Sequence, residues 1–409
     1  MSLEEGTRSI RSKNNERDNV LTPKFKLNSL LLLASANIFT FDFFGVNLRP
    51  FFAPLLIYLI LDFFSLSSNR MTIRKDCFHS TVLMLLIFTL LILHTTYYSF
   101  DQYSSIKISF LLLCNAISGM YVYRLIKYDL TYLSLPAILK FNIVFTCILV
   151  IAQFGLSMLH LYQPIKYGIE GIGGYGRPAA LFNDPGWLAW WLGYLFIFYG
   201  ILSDKFNLKQ SRVVLVVIFL AAIFSGSRTL LFLLLMSFVV IYRKNVAILA
   251  IIPLFFAFAF ILALIYGVPE NFYYDLVDLD RNPRLNDANL IISPVFEAGR
   301  QFVGFGAGTL HMLNETNEWR NFTTSNVFLL NVFHEYGYVG LIVILILFIF
   351  SYTRLKVGKM KFFYILLFFM LNFHNATPAV FFWVILGTFF AVDQIVFSNK
   401  VQVRDDKNL

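Results

Sequence analysis

"RVVLVVIFLAAIFSGSRTLLFLLLMSFVVIYRK" (residues 212–244) places a permanent cation, Arg228, between two apolar runs. Arg212 precedes the first run, and Arg243 and Lys244 follow the second. Such runs read as membrane helices, because lipid offers backbone polar groups no partner outside the chain. Each arm is nevertheless short. About 15 helical residues rise about 23 Å at about 1.5 Å each, against a hydrocarbon core about 30 Å thick. Arg228 is therefore expected below the outer membrane–water boundary, where a charge normally faces a polar cavity or a partner. Snorkelling or local bilayer thinning is the competing explanation.

The rest of the chain repeats the pattern. Of its 409 residues 58% are hydrophobic, 18% aromatic and only 14% charged, which excludes an ordinary soluble domain. Twelve apolar segments lie near 28–46, 50–67, 80–98, 105–124, 138–160, 184–202, 213–226, 228–242, 246–267, 326–353, 362–378 and 379–397. They predict an all-α polytopic integral membrane protein with about 12 transmembrane helices. A single membrane domain would span 28–397, between a basic tail at 1–27 and a second tail at 398–409. The connections alternate in charge, and 24 of the 33 Lys and Arg fall on the side that holds both termini. That side is expected to be cytoplasmic. The net charge of +9 is then a topology signal, and no nucleic-acid partner is expected. Cys77, Cys114 and Cys147 show neither disulfide nor metal-ligand spacing. No small-residue cleavage site follows the first apolar run, so that run is expected to be retained.

The opposite, outer side holds two substantial loops, about 161–183 and 268–325. The later one is the only long polar stretch, and an ordered, partly helical loop is expected there. Ser293 before Pro294 reads as an N-cap and first helical position. Basic residues on this side break the charge bias: Arg49, Arg177, Arg228, Arg281, Arg284, Arg300 and Arg320, with Lys107 and Lys166. For Arg281, Arg284, Arg320 and Lys166 a solvated loop position is explanation enough. Arg300 lies in "EAGRQFVGFGAGTL" (297–310), where Gly304, Gly306 and Gly308 can let backbone N–H groups approach an anion. No strand precedes them, so a dinucleotide-binding reading fails.

"TTSNVFLLNVFHEYGYVG" (323–340) follows. Its bilayer span is expected to begin near Phe333, with His334 and Glu335 at the outer boundary and Ser325 and Asn326 further out. Glu335 beside His334 is either an interfacial pair or a proton acceptor in a perturbed setting. "RPAALFNDPGW" (177–187) adds Arg177, Asn183 and Asp184 to the same side, and "FHNATPAV" (373–380) adds His374 and Asn375. Asp184 either caps a helix opened by Pro185 or serves catalysis.

Several arginines on one membrane face, without a dense carboxylate cluster, suit a polyanionic lipid head group. Guanidinium forks bind phosphate oxygens in bidentate fashion and stay charged. They can stabilise a departing pyrophosphate, and Glu335, His334 and Asp184 are the candidates for a base that takes the acceptor proton.

On "GRPAALFNDPGWLAWW" (176–191), "FSGSRTLLFLLL" (224–235), "GRQFVGFGAG" (299–308) and "SNVFLLNVFHEYGYVGL" (325–341), the chain resembles the O-antigen polymerase and ligase superfamily. The resemblance covers roughly residues 30–397. It implies glycosyl transfer at the periplasmic face of the bacterial inner membrane from undecaprenyl-pyrophosphate-linked oligosaccharides, with no cofactor and no metal. It implies pyrophosphate-binding roles for Arg228, Arg300 and Arg177. Substrate contacts are expected of Asn326, Ser325 and Arg49. Expected partners are a polysaccharide co-polymerase that regulates chain length, a flippase and membrane lipid. Ligases of this superfamily resemble one another in a His-Asn pair opening the segment after the large loop. Here the pair is Ser325-Asn326, which favours a polymerase over a ligase. A single inverting displacement is the expected stereochemistry. A lipid-linked oligosaccharide flippase is the alternative of a different class, but a transporter should show midplane charges and related halves.

Overall fold

The computed structural model of the chain describes residues 22–36, 39, 41–43, 46–68, 86, 89–90, 92–94, 96–129, 134–161, 178–182, 184–209, 211–241, 291–312, 327–372 and 379–405. Helix α1 (Pro23–Ser35) starts where the Thr22 hydroxyl accepts from the Phe25 N–H at 3.4 Å, with Pro23 in the first helical position. A small antiparallel hairpin follows, β1 (Phe41–Phe43) and β2 (Val46–Leu48), with Phe41 opposite Leu48 and Phe43 opposite Val46. Then come α2 (Phe52–Ser68), α3 (Gln102–Arg124) with a π turn at Leu125–Asp129, α4 (Leu135–Met158) and α5 (Pro185–Lys205). The opening stretch forms α6 (Arg212–Ser225) and α7 (Arg228–Ile241). After a helical segment at 291–297 and a 3-10 turn at Thr309–Met312, the chain ends in α8 (Phe328–Arg354), α9 (Gly358–Leu371) and α10 (Val380–Asp405).

This is a helical membrane protein, but the expected twelve crossings are not what the structure shows. Among the described residues five helices are long and apolar enough to cross a membrane: α3 with its π turn, α4, α5, α8 and the Val380–Ser398 part of α10. Apolar run length alone overcounts, because it does not see where a helix stops. The run at 28–46 stops helically at Ser35 and turns into the hairpin, where aromatic and β-branched residues favour extended backbone. Helix α9 ends at Leu371, short of the expected 378. Helices α6 and α7 have 14 residues each. The segment at 246–267 and most of 80–98 lie outside the described residues. The late loop is partly helical where it is described, but residue 291 is already helical, so Ser293 does not cap that helix.

Helix α5 is the centre of the bundle. Trp190, Trp191, Tyr194, Phe196 and Phe198 are all fully buried, as an all-round apolar helix requires. It packs on α7, α4 and α10, and α4 packs in turn on α6. Close crossings depend on small residues. A Cβ on Gly119 of α3 would lie 2.5 Å from the Trp383 carbonyl oxygen of α10, and a Cβ on Gly387 would overlap the Gly119 backbone. The outer faces of α2, α4 and α8 expose Leu56, Ile57, Phe141, Ile148, Ile342, Ile346 and Ile349. Such continuous apolar surface fits lipid and not water.

Two polar ties hold one end of the bundle. Asp393 of α10 accepts from the N–H groups of Lys356 and Val357 at 3.0 and 2.9 Å, fixing the turn between α8 and α9. Lys26 of α1 pairs with Asp62 of α2 at 2.5 Å, and the Tyr121 hydroxyl of α3 donates to the other carboxylate oxygen at 3.0 Å.

Candidate functional site

The site is built on a break in α8. Gly337 has φ 61° and ψ −156°, a backbone region that essentially only glycine occupies. The break removes the hydrogen bonds that Tyr338 and Val339 would donate one helical turn back to His334 and Glu335. Inside a membrane domain such freed groups need other partners. The loop after Arg300 supplies all of them. Tyr338 N–H donates to the Gln301 carbonyl at 2.8 Å and Val339 N–H to the Phe302 carbonyl at 3.2 Å. Phe305 N–H donates to the His334 carbonyl at 2.8 Å and Gly306 N–H to the Glu335 carbonyl at 2.9 Å. The loop is thus inserted into the broken helix as a substitute turn.

This insertion explains the glycines. A Cβ on Gly304 would lie 2.5 Å from the Glu335 carbonyl oxygen, and one on Gly306 would lie 2.5 Å from the Ser99 Cβ. Gly304, Gly306 and Gly308 all have positive φ. Their N–H groups do not form the expected open anion cradle. They are committed to the Arg300 carbonyl at 2.7 Å, the Glu335 carbonyl at 2.9 Å and Glu335 Oε1 at 2.9 Å respectively.

The other wall is the start of α3. Phe100 N–H donates to the Phe305 carbonyl at 3.2 Å. The Ser105 hydroxyl donates to the Ala307 carbonyl at 2.7 Å and lies 2.6 Å from the Ser99 hydroxyl. Asp101 caps α3 by accepting from Ser104 N–H at 3.1 Å. Segments about 200 positions apart in the chain are therefore fastened into one unit.

Arg300 stands on this unit. Its Nη1 donates to the Tyr98 carbonyl at 2.5 Å, and its Cζ lies 4.2 Å from the centre of the Phe100 ring. Among the described residues no carboxylate pairs with it. A half-buried guanidinium oriented by neutral groups keeps its charge available to an external anion.

His334 and Glu335 lie behind the loop. His334 is 1% exposed, with its ring beside the backbone of Ile291 and Thr309. Its ring rests 5.1 Å from that of Phe305. Glu335 anchors the loop through Oε1, while its Oε2 has no donor among the described residues. The loop that begins at Arg300 is thus fastened to His334 and Glu335.

Arg228 stands on a different helix pair. Gly226 ends α6 in the left-handed conformation at φ 57°, and the Ser227 hydroxyl accepts from Leu230 N–H at 3.4 Å to start α7. Arg228 is then the exposed first residue of a helix whose N-terminus also favours anions. The 14 residues of each arm reach about 21 Å. Phe154 of α4 stacks on Phe224 at 4.4 Å, and Gln153 bonds both the N–H and the carbonyl of Ala180, at 2.8 and 2.6 Å. Residues 178–182 therefore share this end of the bundle with the arginine hairpin.

Asp184 takes the capping role: it accepts from Gly186 N–H at the start of α5. Arg49 lies between β2 and α2, half-buried, and burial holds its guanidinium below the ordinary value. Arg177, Ser325 and Asn326 lie outside the described residues, as do Asn183, His374, Asn375, Arg281, Arg284, Arg320 and Lys166. Sequence reading missed Tyr98, Phe100 and Gly337. The available signals were the aromatic "YYSF" (97–100) just before a capped helix and a glycine inside an apolar run. No family model, curated protein or solved structure matches this chain.

Proposed function

We propose that the protein is a glycosyltransferase of the bacterial inner membrane that polymerises lipid-linked repeat units of a surface polysaccharide at the periplasmic face. The observation that supports this reading most is Arg300, a cation presented by neutral partners on the same inserted loop that contacts Glu335. Arg228, at a low hairpin tip, is suited to the head group of a carrier whose tail stays in lipid.

In the reaction, a hydroxyl oxygen at the nonreducing end of one lipid-linked unit attacks the anomeric carbon of the growing chain. The bond between that carbon and the phosphate oxygen breaks, and undecaprenyl pyrophosphate leaves with the electron pair. Arg300 and Arg228 stabilise the charge that develops on it. The acceptor proton passes to a carboxylate, for which Glu335 Oε2 is the first candidate. Asp184 is a weaker candidate because its side chain is engaged as a helix cap. One displacement inverts the anomeric configuration.

The test incubates purified protein with undecaprenyl-pyrophosphate-linked repeat units in detergent. A ladder of longer chains is the expected product. Transfer only to a lipid A–core acceptor identifies a ligase, and lipid movement across liposomes without new linkages identifies a flippase. Either outcome overturns the polymerase assignment.

A further inference from the structure

We propose that Phe100 is a positioning residue that holds Arg300 for a phosphate-bearing ligand, an inference that rests on Arg300 being such a ligand's contact. The guanidinium lies with Cζ 4.2 Å from the ring centre, and Nη1 is drawn to the Tyr98 carbonyl at 2.5 Å. Ring and carbonyl together restrain the guanidinium. The other N–H groups of the guanidinium are the ones suited to a bidentate contact with phosphate oxygens.

Phe100 is itself fixed. Its N–H donates to the Phe305 carbonyl at 3.2 Å, and its ring lies 5.3 Å from that of Phe305. Phe305 in turn bonds the broken turn of α8. The shelf is therefore referenced to the same backbone that carries Glu335. Phe100 is also 55% exposed, so the core does not bury its ring, and the ring face is taken up by the arginine. An aromatic face holds a cation without neutralising it.

The inference predicts a particular pattern of binding, measured with undecaprenyl pyrophosphate in nanodiscs by native mass spectrometry. Phe100→Leu keeps an apolar side chain but removes the ring face. It should weaken binding roughly three- to thirtyfold, the range of a cation–π contact. Phe100→Trp should restore it. In an Arg300→Ala background Phe100→Leu should have no further effect, because the ring acts through the arginine. Undecaprenol, which lacks the phosphates, should bind all variants alike.

Wild-type binding by Phe100→Leu, with Arg300→Ala impaired, overturns the positioning role and leaves the arginine contact standing. Equal losses from Phe100→Leu in both backgrounds, or weakened undecaprenol binding, also overturn it, because the ring would then serve the fold or the lipid tail. Wild-type binding by Arg300→Ala removes the phosphate contact itself, and the inference with it. If Phe100→Leu does not fold, Phe100→Trp decides, since failure of a folded tryptophan variant to bind also contradicts an aromatic shelf.

Discussion

Replacing Gly337 by alanine should release the inserted loop without dismantling the bundle. The native φ of 61° and ψ of −156° cost a residue with a Cβ about 1–3 kcal/mol. The added methyl would also lie 2.5 Å from the Phe302 carbonyl oxygen and 2.6 Å from that of Gln301. Overpacking of that kind costs about 1–3 kcal/mol more. The total, about 2–6 kcal/mol, is comparable with what the backbone hydrogen bonds across the break contribute, at about 0.5–1.5 kcal/mol each. Hydrogen exchange of the purified protein in nanodiscs reads this directly. The amides of Phe305, Gly306 and Gly308 should exchange at least about thirtyfold faster, while α5 keeps its protection. Gly155→Ala is the control, because a Cβ there meets nothing within 4 Å. Unchanged protection at 305–308 in a folded Gly337→Ala protein would refute the insertion of the loop into α8.

Other substitutions separate chemistry from architecture. Glu335→Gln keeps an acceptor for Gly308 N–H, so loop protection should persist while polymerisation falls at least about 100-fold; full activity would restrict Glu335 to anchoring. Arg228→Lys should lose most activity at matched expression, because an ammonium does not reproduce the guanidinium fork; near-normal chain synthesis would remove Arg228 from the donor site. Gly387→Val forces side-chain carbon into the Gly119 backbone and should lower the melting temperature, at about 1–3 kcal/mol or more, where Gly358→Ala changes little. Asp393→Ala strips the acceptor from Lys356 and Val357 N–H and should destabilise the protein by about 1–3 kcal/mol, seen as a lower thermal midpoint with unchanged lipid binding.

The membrane class was legible because apolar composition and basic loops report directly on the solvent around a helix. The short hairpin was legible too: Arg212, Arg228 and the Arg243-Lys244 pair mark its ends, and α6 and α7 fill the interval. The number of crossings was not, since the same aromatic and branched residues serve a crossing, a part-way helix or the hairpin at 41–48. The glycines of "GRQFVGFGAG" were correctly singled out but for the wrong partner. Sequence shows that a backbone approaches something closely at Gly304 and Gly306, and only the fold shows that it is the backbone of Glu335 and the side chain of Ser99. For Phe100 and Tyr98 the aromatic "YYSF" marked the place but not the partner: nothing local to residues 97–101 points to an arginine about 200 positions away.

Glycosyl transfer has a stoichiometry that lipid transport lacks. The most direct measurement follows undecaprenyl pyrophosphate released and glycosidic linkages formed in the same reaction of purified protein with lipid-linked repeat units. Equal molar amounts of the two, lost together in a folded Arg300→Ala variant, are the predicted result. Lipid turnover with no released carrier, or linkages formed at the wild-type rate without Arg300, would contradict it.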